Sequence, residues 1–267
     1  MGSYVTVVAN QKGGVGKTTT AISLAAGIAK RDHNVLLIDL DPQANATSGL
    51  GCTIKPGASI YGVLLGEAPL TSRIVSTSVP NLDLVPSEVD LAGAEIDIAR
   101  GDNYLHRFRE ILQPLRDSGR YELIMVDCPP SLGILTMNAL TAADSLLIPL
   151  QCEYYALEGL SVIVSLVEKL RGSGANPYLM IEGIVMTMYD IRTKLAAQVV
   201  AEVQKFFPEK IYETMIPRSV RISEAPSHGM PVTLYEPNCA GAQAYDVLAE
   251  EFLARRKKIA DAPPVDI

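Results

Sequence analysis

The sequence predicts an α/β fold: one domain built on a twisted, mainly parallel β-sheet flanked by helices. Three observations carry this prediction. Six short apolar runs alternate with longer amphipathic stretches. Each run is apolar almost throughout, as parallel strands covered on both faces must be. The first run leads through a glycine-rich loop straight into a helical stretch. A chain of 267 residues, 48% hydrophobic and 20% charged, is long and apolar enough for such a core.

The elements follow in order. YVTVVA (4–9) is the first strand, and the loop NQKGGVGKTTT (10–20) opens the helix KTTTAISLAAGIAKR. NVLLIDL (34–40) is the second strand, LDLVP (82–86) the third and YELIMVD (121–127) the fourth. The helix LHRFREILQPLR precedes that fourth run. SLLIPL (145–150) and IEGIVMTM (181–188) are the last two strands, separated by EGLSVIVSLVEKLR and followed by LAAQVVAEVQKFF. There is no internal repeat and no linker rich in Pro, Gly or Ser, so residues 1–253 read as one domain. Residues 254–267 read as a basic helix end, RRKK at 255–258, and a disordered tail, ADAPPVDI.

The bulk numbers exclude several classes. No run approaches the roughly 20 apolar residues that span a bilayer, and the start lacks the pattern of a secretory leader, so the expectation is a cytoplasmic protein. MGSYVT fits a loose myristoylation pattern at Gly2, but residues 4–9 are better used as the first strand. Cys52, Cys128, Cys152 and Cys239 show no CxxC spacing and read as reduced, mostly buried thiols. A net charge of −7 argues against coating nucleic acid by bulk charge alone.

The loop at 10–20 has the makings of a phosphate cradle. Gly13, Gly14 and Gly16 let backbone N–H groups turn inward onto phosphate oxygens. The helix beginning near Lys17 brings its positive dipole end to the same point. Lys17 supplies a charge for the β- and γ-phosphates, and the Thr18 hydroxyl suits Mg²⁺. A dinucleotide fingerprint fails, because the third glycine position holds threonine. Phosphoryl chemistry also needs carboxylates at neighbouring strand ends. Asp39 and Asp41 end the second strand and Asp127 ends the fourth. Their chemistry places Asp39 and Asp127 near Mg²⁺, directly or through water, and Asp41 near the attacking water. The loop carries two anomalies: Gln11 where the ordinary pattern asks for glycine, and a second lysine, Lys12.

These residues resemble a known family. KGGVGKTT is similar to the deviant Walker A motif, DLDPQANAT to its companion acidic motif and VDCPPSLG to its Walker B. SEVDLAGAEI, LQCEYYALEGL, MTMYDIRT and IPRSVRISEAPSHGMPV narrow the likeness to the ParA/Soj-type chromosome-partition ATPases of the MinD/ParA superfamily, over residues 3–253 or so. The resemblance implies a deviant Walker A P-loop ATPase with ATP and Mg²⁺ as cofactors and slow intrinsic turnover. It implies an ATP-dependent sandwich homodimer that binds double-stranded DNA non-specifically at the nucleoid, and a ParB/Spo0J-type centromere-binding partner that stimulates hydrolysis and release. It assigns ATP contacts to Lys12, Gly13, Gly14, Val15, Gly16, Lys17, Thr18, Thr19, Pro217 and Ser219, with Lys12 reaching the other subunit's phosphates. It places Glu153 toward that subunit's nucleotide, Asp41 on the hydrolytic water, and Arg192 and Arg221 on DNA. Between those two arginines lie six basic and three acidic residues, ends included, a net of +3. RRKK either extends that surface or complements the negative end of the last helix.

Three rivals are weaker. A MinD-like membrane-positioning ATPase needs an amphipathic C-terminal helix with large apolar groups, which ARRKKIADAPPVDI lacks. A nitrogenase-reductase-like iron–sulfur protein needs a second cysteine to match Cys128. A nucleotide-gated binding module without useful turnover is the remaining alternative, since no built-in arginine finger is visible. His33, His106 and His228 are scattered and form no catalytic set.

Overall fold

The computed structural model describes residues 2–101 and 103–261. Among them, seven strands form one sheet: β1 (Tyr4–Val8), β2 (Val35–Asp39), β3 (Val75–Ser76), β4 (Leu82–Val85), β5 (Leu123–Asp127), β6 (Ser145–Gln151) and β7 (Met180–Thr187). Their order is β3-β4-β2-β5-β1-β6-β7, and only β3 runs antiparallel. The six anticipated strands are all present. β3 was not anticipated: one half-covered and one exposed residue inside SRIVSTS make no apolar run to recognise.

Among the described residues eleven α-helices surround the sheet. They are α1 (Lys17–Ala29), α2 (Asn45–Gly49), α3 (Ile60–Leu64), α4 (Leu91–Ala99), α5 (Arg107–Ser118), α6 (Ile134–Ala142), α7 (Ala156–Gly172), α8 (Lys194–Phe206), α9 (Val220–Glu224), α10 (Val232–Tyr235) and α11 (Ala240–Asp261). Alternate side chains of each strand point to opposite faces. Leu36, Ile38 and Leu40 join one core with α3 to α8, while Val35 and Leu37 join the other with α1, α2, α10 and α11. Both faces are therefore covered, which is why β2 and β5 are buried at every position. α1 lies against α11 closely enough that a Cβ on Gly27 would stand 2.9 Å from the Ala249 methyl. Arg31 ties the two helices at their far end, donating to Asp246 (3.0 Å) and Glu250 (2.7 Å).

The outer side of β7 is taken by residues 210–217. Ile184 N–H donates to Lys210 O (2.8 Å), Tyr212 N–H to Ile184 O (2.9 Å) and Ile216 N–H to Met186 O (2.9 Å). This close approach needs glycine in β7. A Cβ on Gly183 would lie 2.8 Å from the Lys210 carbonyl and would collide with the buried Tyr212 ring. Because a backbone group is one of the obstacles, Gly183→Ala is expected to cost about 1–3 kcal/mol. A urea midpoint equal to that of the parent would disprove the tight packing.

The end of the last helix puts half of the RRKK cluster to structural use. Arg255 and Arg256 turn inward: Arg255 stacks on Tyr212 and pairs with Glu251 (2.7 Å), and Arg256 stacks on Tyr4. Lys257 and Lys258 alone of the four stay exposed. A planar guanidinium packs flat on a ring as an ammonium cannot, so RRKK is half structural. The anticipated disordered tail lies, from residue 262 on, outside the described residues.

Candidate functional site

Parallel pairing brings the candidate residues to one edge of the sheet. β5 lies between β1 and β2, in the register Val8↔Asp127 and Asp39↔Asp127. The two strand-end acids are thus direct neighbours, and the glycine-rich loop leaves β1 beside them. The carboxyl ends of β2, β5, β1, β6 and β7 face one crevice, the usual ligand position in such a sheet.

The loop is held from three sides. Asn10 Nδ2 donates to Pro149 O (2.8 Å), and its Oδ1 accepts from Lys12 N–H (3.1 Å). Thr187 Oγ1, at the end of β7, donates to Val15 O (2.8 Å). Val15 is buried, which anchors the loop's middle. Gly14 and Gly16 have φ of 74° and 88°, a region that side chains disfavour, and Gly16 is the N-cap of α1. Asn10 and Thr187 were missed in the sequence. Asn10 adjoins the motif without belonging to its pattern, and Thr187 lies far along the chain.

The two lysines part company. Lys17 is buried, and its Nζ donates to Lys12 O (3.0 Å), so it lies across its own loop. Lys12 points the other way and pairs with Glu153, just past β6, with both side chains about half exposed. The sequence expectation sent Glu153 toward another subunit; in the monomer it holds Lys12 of its own chain, and Gln151 Nε2 donates to its other oxygen. Thr18 and Thr19 are half-buried in the first turn of α1.

The three acids have different surroundings. Asp39 is wholly buried and already satisfied: Oδ2 accepts from Thr47 N–H (2.8 Å) and Oγ1 (2.7 Å), and Oδ1 from Asp41 N–H (3.2 Å). Burial pushes its carboxyl up to about 6, with the Thr47 bonds opposing. Asp127 is also wholly buried, but among the described residues neither oxygen has a donor in full hydrogen-bond geometry, though the nearby Thr18 hydroxyl favours its charged form. Burial, with the Asp39 charge beside it, holds its carboxyl well above the usual range. Burial likewise lowers the Lys17 ammonium, against the pull of Asp127 and Asp41. Asp41 lies 5% exposed at the rim, where Gln43 N–H donates to Oδ1 (2.9 Å).

An unpartnered buried carboxylate costs several kcal/mol unless a cation or donor meets it. Asp127, with the Thr18 hydroxyl and Lys17 around it, is therefore a place where a divalent cation and a phosphate would satisfy one another. Asp39, with three donors already, has one acceptor site left on Oδ1 and can reach such a cation directly or through water without giving up its bonds. The residues fit Mg²⁺ on that ground.

The remaining candidates lie along the covered edge of β7. Pro217 bridges to Tyr189, whose carbonyl accepts from Arg218 N–H (3.1 Å). Pro217 and Met215, with Ala240, Gln243 and Ala244 of α11, line an open cavity of about 660 Å³. Ser219 caps α9, close to Gly241 at the start of α11. Arg192 and Arg221 are exposed, each in a local ion pair: Arg192 with Asp190 (2.7 Å) and Arg221 with Glu224 (2.8 Å). The cysteines are all free, two of them buried. Among the described residues no helix is long and apolar enough to cross a membrane. The large apolar side chains Tyr245, Leu248 and Phe252 of α11 already face the core.

The sequence matches the family model of an AAA domain over residues 3–181. It is 49% identical over 254 residues to the chromosome partitioning protein ParA of Caulobacter vibrioides, covering 95% of each chain. It is 49% identical over 255 residues to the sporulation initiation inhibitor protein Soj of Bacillus subtilis, covering 95% of this chain and 99% of that one. Among solved structures, cobyrinic acid a,c-diamide synthase from Mycobacterium smegmatis with bound ADP and magnesium is similar at a TM-score of 0.83. There the identity is 33%, over 99% of this chain and 100% of that one.

Proposed function

We propose, from the premise that this chain belongs to the ParA/Soj family of chromosome-partitioning ATPases, that it is a nucleotide-switched DNA clamp: an ATP-bound homodimer holds DNA and lets go after hydrolysis. The single observation that carries this is the crevice at the end of β1, β2 and β5. A caged phosphate loop stands there beside a buried carboxylate without a donor.

The residues divide the work. Backbone N–H groups of Gly13, Gly14, Val15 and Gly16, with the start of α1 at Thr18 and Thr19, receive the phosphates. Lys17 leaves the Lys12 carbonyl and places its charge on its own ATP. Thr18 and Asp127 would hold Mg²⁺, with Asp39 joining them directly or through water. Bound there, the cation supplies neutralising charge at the β- and γ-phosphate oxygens. Asp41, at the rim, orients the attacking water. Pro217 and Ser219 border the adenine, in keeping with the cavity beside Pro217. Lys12 serves the partner subunit's ATP. Among the described residues no arginine finger is evident in the crevice, which fits slow turnover until DNA and a ParB-type partner act together. Phosphate release with each addition, alone and combined, tests this; a flat rate would leave a nucleotide-gated binder in its place.

The membrane-positioning alternative loses support from α11, whose Tyr245, Leu248 and Phe252 are spent on the core. The protein works at the nucleoid in this reading, through Arg192 and Arg221. Each arginine already has an acidic partner, so an approaching phosphate competes with Asp190 or Glu224. Exposed ion pairs of this kind are screened by water and held weakly, so DNA can displace them, but at a cost in affinity. Arg221→Ala is expected to weaken DNA binding about tenfold at low salt and to flatten the salt dependence by about two counter-ions per dimer. Adding Arg192→Ala should deepen both effects, with ATP-dependent dimerisation intact. Glu224→Gln should act oppositely and tighten binding. Gel shifts at two salt concentrations check all three, and equal slopes throughout would move the DNA face elsewhere.

A further inference from the structure

The acidic loop after β2 is tied into a closed ring of buried hydrogen bonds that no phosphate or metal role requires. Asp39 Oδ2 accepts from both the N–H and the hydroxyl of Thr47. The same Thr47 hydroxyl accepts from Ser87 N–H (2.9 Å), and Ser87 Oγ donates to the Asp41 carbonyl (2.7 Å). Asp41 N–H returns to Asp39 Oδ1 (3.2 Å) and closes the ring. Ser87 and Thr47 are both buried. β4 pairs in parallel with β2, which is what carries Ser87 to this point two residues beyond the strand.

The ring grips the backbone of Asp41 at both ends. Its N–H is fixed by Asp39, and its carbonyl by Ser87 and by Ala44 N–H (2.9 Å). Gln43 N–H then takes Oδ1, and the described residues place no donor on Oδ2. That oxygen is left facing whatever the rim receives. The loop does not hold this shape by preference. Ala44 sits at φ 52°, in the left-handed region that alanine avoids. A strained turn persists only where its surroundings over-determine it, and the ring is what does so here.

We propose that Thr47 and Ser87 are positioning residues for hydrolysis: they fix the carboxylate of Asp41 against its water and do not themselves touch nucleotide or metal. This rests on the reading of Asp41 given above. It also makes the end of β4 part of the hydrolytic apparatus. The next residue, Glu88, accepts from Gly57 N–H (3.0 Å) and from the Ser59 hydroxyl that caps α3. The aim of Asp41 is thus mechanically joined to the α3 region.

The test uses the full chain with Mg-ATP and DNA, and compares Ser87→Ala, Thr47→Val, Thr47→Ser and Asp41→Ala. Ser87→Ala removes one hydroxyl and keeps the backbone bond to Thr47; Thr47→Val keeps shape and loses the hydroxyl. Both are expected to lower kcat about tenfold, since small misplacements of reacting groups are costly. KM and the affinity for a fluorescent ATP analogue should stay within about twofold, the signature of a loss felt only in the transition state. Thr47→Ser should return kcat to near the parent value. An unchanged kcat in Ser87→Ala overturns the proposal if Asp41→Ala is inactive. If Asp41→Ala turns over normally, the reading of Asp41 itself has failed. A fall in nucleotide affinity and melting temperature together with kcat would show a structural role only and would also overturn it. Should Thr47→Val fail to fold, Ser87→Ala decides alone.

Discussion

Asp41→Ala is expected to stop ATP turnover almost completely while leaving ATP binding and ATP-dependent dimerisation in place. The carboxylate sits at the rim of the crevice, and its Oδ1 is already used by Gln43 N–H. It makes no bond to Lys17 or to the loop at 12–16, so its removal leaves the phosphate cradle intact. A group that positions or deprotonates water contributes about 10²–10⁴ in rate, so a fall in kcat of at least a hundredfold is expected. Equilibrium nucleotide binding should change little. The variant should therefore accumulate as a long-lived ATP dimer on DNA. Single-turnover hydrolysis beside size-exclusion chromatography reads both halves. Normal turnover would take Asp41 off the water, and a monomeric variant would give it a part in assembly.

Lys12→Ala is expected to have the second largest effect, and of a different kind. The backbone carbonyl of Lys12 accepts from Lys17, while its side chain leaves the site toward Glu153. In the proposed reading one ATP is served by Lys17 alone. Truncating Lys12 should therefore leave nucleotide affinity within a few-fold of the parent. It should weaken the ATP-dependent dimer by at least about tenfold, the scale of one lost charge-assisted contact. To reach a second subunit, Lys12 must first leave Glu153, and an exposed ion pair opposes that by ~1 kcal/mol or less. Glu153→Gln should then assemble at least as readily as the parent. Light scattering against ATP concentration separates these outcomes; an unimpaired dimer in Lys12→Ala would confine both lysines to one nucleotide.

The sequence showed most of the frame and part of the site, for physical reasons that differ by residue. Fully buried parallel strands have to be continuous apolar runs, so β1, β2, β5, β6 and β7 announce themselves. β3 does not, because one half-covered and one exposed residue need no pattern. The loop glycines and strand-end acids stand out because their chemistry is tied to their spacing. The partners that fix them do not. Thr187 holds Val15, Ser87 holds Asp41, and Asn10 holds Lys12 N–H, yet each is a short polar residue met far along the chain or outside the motif. Only the fold brings them into reach. Charge counts misled in one place: RRKK shows four basic residues, but two of them stack on Tyr4 and Tyr212. The run from Arg192 to Arg221 looks more basic in the sequence than at its two key side chains, because Asp190 and Glu224 sit against them.

The segment at 210–217 that lies along β7 also bears on how copies of this chain can meet. A free sheet edge invites another strand, and proteins that keep one exposed are prone to fuse into continuous sheets. Here one margin ends in a strand of two residues, and at the other the chain's own backbone has taken hydrogen-bonding positions of Ile184 and Met186. Sheet continuation between molecules is blocked at the second margin and offered very little at the first. Contacts between copies of this chain are therefore left to side-chain surfaces. Contacts of that kind form and break without remaking a backbone ladder, which suits the reversible, nucleotide-switched dimer proposed above.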